Sequence, residues 1–533
     1  MNPLKIELGL ERLSLASVRE FAYRKPETPV EISIAPELLE RVRASEKRLH
    51  EFIDQGLPIY GVTTGFGDSC HRVISPSQTE TLQKNLVAYL LAGTGPALSL
   101  EATRAIFLIR LRSVSRGFSG VSEELVLRMK TYLERDWMPV IPREGSLGAS
   151  GDLIPLAYVA QVLQGEGEIH CAATPSHPSG TRPMKDVLAE SRMDTYRLKP
   201  KEGLALANGT SAMAGLAMTN LVSARAVVDT AMTATAWLVL ALRGRTEAFE
   251  PLVNEAANTH SGQSRVARRI RALLVEENYS SKPLSELAIK NSQTEGFVQD
   301  RYSVRCVPQI LGPVLETIER VESWLETELN GTSDNPLIGE DGSLAMGGNF
   351  YGGYLSQGMD YLKISLAHVA DLIDRQLTLL IDDKSNRGLP ANLADWKGLP
   401  ENERFLHHGL KALHQAVNAL TSETMARATP GGIFSRSSES HNQDKVSLGM
   451  SAAVQCSEML APLYRLQTMT LVCFAQALDL REHKLVGRAS RDLYAKIRAI
   501  VPFVKRDVSL GREIETLSQK LKAAAETAEK DTP

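Results

Sequence analysis

Along most of this chain apolar residues recur every three to four positions, and strict alternation is rare. Ser122 opens the run SEELVLRMKTYLERD, with acids in the first turn and apolar residues at helical spacing, which predicts a helix start there. Residues 83–91 predict another helix, ended by Gly93. Further on the helical patterns lengthen, over 313–329, 355–381, 406–428 and 446–481, with few turn signals inside. Pro462 predicts a kink in the last of them. Helices this long and this apolar predict a bundle, with faces that meet other subunits. Strand-like alternation is confined to short pieces such as 32–34 and 168–171. There is no tandem repeat, and the final AAAETAEKDTP predicts a frayed end.

Glycine-rich loops interrupt this helical background. They are YGVTTGFG at 60–67, GSLGASGDL at 145–153, NGTS at 208–211, TSDNPL at 332–337 and GGNFYGG at 347–353. Long helices punctuated by polar loops fit a rigid scaffold that carries a site on its loops.

Composition narrows the function. The 533 residues allow about three or four domains. Sixty basic and sixty-three acidic residues give a formal charge of -3, which argues against a nucleic-acid surface as the main partner. The five cysteines are widely spaced and form no C-x-x-C, so a disulfide framework is not expected. The N-terminus has no apolar run of signal-peptide type. The apolar stretches 230–242 and 466–478 are too short to span a bilayer and read as buried helix. Together these features predict a soluble cytoplasmic protein with no membrane partner.

Several common chemistries lack their motifs. There is no G-x-x-x-x-G-K-[ST], no H-E-x-x-H and no G-x-S-x-G. His407, His408 and His414, read as sharing one helix, lack metal-ligand spacing. Nucleotide, metal and hydrolase readings lose ground, and no metal or nucleotide is expected.

The segment GSLGASGDLIPLAYVAQVL carries more. Its plain reading is a flexible loop and a helix capped by Asp152, with Pro155 in the first turn. A sharper reading is cyclisation of the backbone, in which an amide nitrogen reaches the carbonyl two residues earlier. Only glycine offers so unhindered a nitrogen and so free a backbone. A serine between the two can lose water, leaving an electron-poor ring with a conjugated methylidene. The helix N-terminus that follows would add positive potential beside it.

Ala149-Ser150-Gly151 in this setting resembles the hallmark of the aromatic amino acid ammonia-lyases and aminomutases. These enzymes carry a self-made 4-methylidene-imidazole-5-one group, MIO. The resemblance covers almost the whole chain, through YGVTTGFG, NGTS, QDRYSVRCVPQILGP, NGTSDNPL, GGNF and HNQDKVSLG in order. It implies a mainly α, fumarase/aspartase-like long-helix bundle, with a homotetrameric helical core and active sites shared between subunits. It also implies an MIO-bearing region over 1–210, a central long-helix bundle over 211–482 and a C-terminal helical segment over 483–533.

The resemblance assigns roles as well. Ala149, Ser150 and Gly151 become the electrophile. Tyr60 matches the catalytic tyrosine that takes the β-proton, and Tyr302 the second active-site tyrosine. Arg305 matches the arginine that holds the substrate carboxylate, a task suited to a bidentate guanidinium. Gln299 matches a polar neighbour of the second tyrosine, Asn208 the asparagine near the prosthetic group and carboxylate, and Asn349 and Phe350 a motif pair lining the pocket. Tyr89 and Leu90 fall at the two selectivity positions. Histidine lyases have histidine at the second, tyrosine-selective lyases have histidine at the first, and phenylalanine lyases have Phe-Leu. Tyr89-Leu90 is the phenylalanine pattern with one hydroxyl added. Gln443 stands where histidine lyases have a glutamate. Glu439 matches a glutamate facing the substrate amine, and Lys411 a lysine of phenylalanine lyases. From the residues alone, Lys411 and Glu439 read equally well as a solvated ion pair.

The expected function is elimination of ammonia from an aromatic L-amino acid, L-phenylalanine giving trans-cinnamate, with tyrosine or ring-substituted analogues also possible. A 2,3-aminomutase, which returns the amine to the β-carbon, shares nearly all these residues and differs in how long the acrylate is retained. A catalytically silent helical protein would predict a broken triad or a lost Tyr60 or Arg305, and all are present.

Overall fold

The computed structural model describes residues 2–172, 177, 180–294 and 296–527. The chain is mainly helical, and its strands form two-stranded ladders among the described residues. The longest ladder pairs Leu4–Leu8 with Val30–Ile34 in parallel. Ile6, Leu8 and Ile32 point inward from it, so the period-two pattern is real but very local.

The predicted helices are present, with shifted ends. The helix Glu123–Glu134 is capped by Ser122, whose Oγ accepts the Leu125 amide at 3.2 Å. Thr79–Leu90, Val307–Glu328, Gly353–Ile381 and Gly449–Leu480 occupy the other predicted positions, and Pro462 lies inside the last. The helix expected over 406–428 runs only over Lys411–Ala426. Gly409 takes a φ of 58° before it, and the amides of His408 and Gly409 bond the Asp507 carboxylate. His407 and His408 therefore precede the helix that carries His414, contrary to the sequence reading. The helix Gly511–Thr527 leads to the chain end, and residues 528–533 of the expected frayed tail lie outside the described residues.

The apolar stretch at 230–242 belongs to a 32-residue helix, Ser211–Leu242. Among the described residues it is the one helix long and apolar enough to cross a membrane, and 78% of its apolar window is buried inside the protein. Burial against protein explains its composition.

The chain divides into two compact units. The first comprises Met1–Asn220, Val321–Asp360 and Pro430–Gln455, and the second Leu221–Arg320, Tyr361–Thr429 and Cys456–Pro533. In the first, the helix Leu100–Val114 is buried from Ala102 onward although it carries three arginines. Each arginine has partners, as buried charge requires. Arg104 forks onto Asp136 at 2.9 and 2.5 Å. Arg112 bonds the carbonyls of Gly9 and Glu11. Arg110 bonds the carbonyl of Ala205 at 2.5 Å and lies 3.9 Å from Asp334. Asp334 also takes Lys201 Nζ at 2.5 Å and the Ser119 hydroxyl at 2.8 Å, so the TSDNPL loop supplies one carboxylate to two buried cations. In the second unit, buried Asp300 takes the Arg245 amide and the Arg387 guanidinium.

Candidate active site

In the first unit the glycine-rich loops meet around Ser150. Gly151 has a φ of 72° and pairs with Gly209 in a parallel bridge. A Cβ on Gly151 would lie 2.3 Å from the Gly209 carbonyl oxygen, so no other residue fits there. Asn208 donates from Nδ2 to the Ser150 carbonyl at 2.6 Å, while its buried Oδ1 has no hydrogen-bond partner. Gln443 donates from Nε2 to Ser150 Oγ at 3.3 Å. The Gly148 carbonyl accepts the Ser447 hydroxyl at 3.2 Å, which ties the loop before the triad to the HNQDKVSLG segment.

Asp152 stands at the N-cap of Leu153–Leu163 but makes no side-chain cap bond. It is fully buried, and accepts the Met213 amide at 2.7 Å and the Ser146 hydroxyl at 3.2 Å. The capping expectation is thus corrected, because the carboxylate joins the triad loop to the start of Ser211–Leu242 instead. Burial pushes its carboxyl up to about 7, against the opposing hydrogen bonds.

Tyr60 accepts the Gly67 amide on its phenolic oxygen at 2.9 Å. Burial pushes this phenol above its ordinary range, the Gly67 hydrogen bond opposes the rise, and the Glu439 charge adds to it. The loop is anchored by Gln83, which donates to the Gly61 carbonyl at 2.8 Å and accepts the Leu204 amide at 2.9 Å. Glu439 accepts the Asp68 amide at 3.0 Å and packs on Gly67, where a Cβ would lie 1.5 Å from its Oε1. It also accepts Asn442 Nδ2 at 3.0 Å.

Glu439 opens a tight turn closed by the pairing of Ser438 with Gln443. Three successive non-glycine residues in it, Glu439, Ser440 and His441, have φ of 51°, 52° and 67°. Each costs about 1–2 kcal/mol, so the turn is strained. One end of this turn touches the Tyr60 loop, and the other carries Gln443 to Ser150.

Tyr89 and Leu90 end the helix Thr79–Leu90. Leu90 is buried, whereas Tyr89 is 61% exposed. Crowding by protein still pushes the Tyr89 phenol up to about 12, with Tyr60 and Glu439 adding to the rise. Asn349 and Phe350 lie in the short turn Asn349–Tyr351, with Asn349 Nδ2 donating to the Thr332 carbonyl at 3.2 Å. Asn349 also lines a cavity of about 970 Å³ with Arg116, Trp324, Glu328 and Tyr354.

The remaining predicted residues belong to the second unit. Tyr302–Arg305 is a single helical turn, held by buried Gln376, which donates to the Ser303 carbonyl at 3.0 Å. The Arg305 guanidinium lies 4.7 Å above the ring of Tyr302, and its buried Nε has no hydrogen-bond partner. Tyr302 itself is 70% exposed. Gln299 is exposed beside the anchored Asp300, and Lys411 is an exposed first residue of its helix. The first unit therefore brings together Tyr60, Tyr89, the triad, Asn208, Glu439 and Gln443, while Gln299, Tyr302, Arg305 and Lys411 belong to the second unit. Among the described residues no group of three or more His, Cys, Asp or Glu side chains is placed to hold a metal ion.

Comparison with known proteins identifies the family. The family model described as "Aromatic amino acid lyase" matches residues 13–499. A tyrosine ammonia-lyase of Cupriavidus metallidurans is 35% identical over 504 residues, 92% of each chain. A histidine ammonia-lyase of Geobacillus thermodenitrificans is 32% identical, over 96% of each chain. Among solved structures, the phenylalanine aminomutase of Pantoea agglomerans superposes with a TM-score of 0.89 at 30% identity, covering 98% of this chain and 99% of that one. The chain belongs to the aromatic amino acid lyase family.

Proposed function

We propose that this chain is an ammonia-lyase acting on aromatic L-amino acids, with L-phenylalanine preferred and trans-cinnamate and ammonia as products. The observation that carries the reading is the convergence of Asn208 and Gln443 on Ser150, with Gly151 bent against Gly209. These residues fit the MIO group, since the bend is open only to glycine and Asn208 Oδ1 remains an unused acceptor beside it. Once formed, the group supplies an electrophile for the substrate amine.

The chain's own residues do the rest. Tyr60 takes the β-proton on its phenolic oxygen. Burial disfavours the phenolate, so activation comes from the Gly67 amide and from cationic groups brought near on binding. Arg305 receives the substrate carboxylate in a planar fork, and the Tyr302 ring beneath it fixes that plane. Glu439 faces the substrate amine. Gln299, Asn349, Phe350 and Lys411 complete the pocket, in a cytoplasmic homotetramer whose active sites are shared between subunits.

Tyr89-Leu90 supports phenylalanine, because an apolar wall holds the unsubstituted ring. The exposed phenol of Tyr89 favours tyrosine as a second reading, since it can bond a substrate hydroxyl. The test is chromatography of reactions with L-phenylalanine and L-tyrosine at equal concentration. Faster release of cinnamate supports the proposal, and faster release of coumarate supports the second reading. A β-amino acid formed from the outset, before any acrylate, points instead to a 2,3-aminomutase.

A further inference from the structure

We propose that Arg110 is a positioning residue for closure of the Ala149-Ser150-Gly151 ring, an inference that rests on the function proposed above. Three groups stack in direct contact. A Cβ on Gly209 would lie 2.1 Å from Arg110 Nη1, and a Cβ on Gly151 would lie 2.3 Å from the Gly209 oxygen. Arg110 Nη1 thus packs against Gly209, and Gly151 packs against the Gly209 peptide. Ser333 Oγ, 2.6 Å from the same imagined Gly209 atom, completes the support. The Gly209 carbonyl also accepts the Asp152 amide at 2.7 Å, which holds the chain just after the triad.

The contacts of Arg110 with Ala205 and Asp334 leave part of its guanidinium unused. Arg110 is completely buried, and its Nε and Nη1 have no hydrogen-bond partner. Two unused donors on a buried cation are costly, and apolar residues of similar volume often replace buried ion pairs without loss. What arginine adds is a rigid plane. Its Nη2 bonds the Ala205 carbonyl and lies 3.9 Å from Asp334, which holds the fork in place. It acts as a backstop, so that Gly209 cannot retreat and Gly151 stays in its left-handed bend.

Ring closure needs that bend. The Gly151 nitrogen bonds to the Ala149 carbonyl carbon, and its proton passes to the carbonyl oxygen. The resulting hydroxyl leaves as water with the Ser150 amide proton, giving a C=N bond. The Ser150 Oγ then leaves as a second water with the Ser150 α-hydrogen, giving the methylidene. No outside reactant is consumed. The first bond forms only when nitrogen and carbon are held at close range, and loosening of about 1 Å can slow such a step by roughly a hundredfold.

The test follows conversion directly. Wild type, Arg110→Met and Arg110→Lys are synthesised in a cell-free system and sampled over time. The soluble, folded fraction is separated by size and its intact mass measured. Wild type is expected to become two waters lighter. Arg110→Met is expected to convert roughly tenfold to a hundredfold more slowly, and Arg110→Lys, which keeps the charge without the plane, to fall between. A purely structural role would lower the folded yield without altering the mass of what folds. If Arg110→Met is insoluble, Arg110→Lys decides alone. Conversion of the folded variants at the wild-type rate overturns the role of Arg110 and leaves the proposed function standing. A wild type that never loses water overturns the proposed function itself.

Discussion

Replacing Asp152 by asparagine should change how stability depends on pH. The folded carboxyl titrates at about 7, raised by burial from an ordinary 3.8. From about pH 5 to about pH 7 the folded group keeps its proton while the unfolded one has lost it. The folded state then binds more protons, so stability falls as pH rises. Over those two pH units, at about 1.36 kcal/mol each, wild type loses about 2.7 kcal/mol. Above about pH 7 both states are ionised and the loss levels off. Asparagine does not titrate, so Asp152→Asn escapes this slope. It still loses part of the bonding to Met213 and Ser146, which lowers its stability by a roughly pH-independent amount. Urea unfolding of both proteins at about pH 5 and about pH 8.5 isolates the effect. The variant's stability relative to wild type should improve by about 2.7 kcal/mol at the higher pH. A difference that stays constant across the range, or moves the other way, would refute the assignment of a protonated buried carboxyl at this position.

Other outcomes follow from the same site. Ser150→Ala should fold and assemble like wild type, keep its full sequence mass and lose nearly all turnover. Tyr60→Phe should reduce kcat/KM by roughly a hundredfold to ten-thousandfold, and the wild-type rate should climb with pH as the raised phenol ionises. A flat alkaline profile would remove Tyr60 from the role of base. Tyr89→Phe should keep phenylalanine turnover within a few-fold while depressing that of tyrosine, as steady-state assays on both substrates would show.

Long apolar periodicity made the helices at 307–328, 353–381 and 449–480 legible from the residues alone, and the glycine-rich loops marked where chemistry would lie. The ends were harder to place, as at Gly409, where an aspartate about a hundred residues away holds the turn. The helix Leu100–Val114 was not legible as buried, because Arg104, Arg110 and Arg112 interrupt its apolar pattern and are buried through partners distant in sequence. Asp152 looked like a local cap for the same reason, since nothing in its neighbourhood announces the amide of Met213. The strained turn at Glu439, Ser440 and His441 contains no glycine, so no residue type betrays its left-handed backbone. Gly151 and Gly209 could be singled out by type, but their mutual contact is a tertiary fact.

The proposed chemistry depends on residues 149–151 forming a ring by themselves. Intact-mass measurement of the purified protein, followed by peptide mapping, tests it most directly. The expected result is a chain two waters lighter than its sequence, with the deficit confined to the peptide that contains Ala149, Ser150 and Gly151. A chain at its full sequence mass, or a deficit located elsewhere, would contradict it.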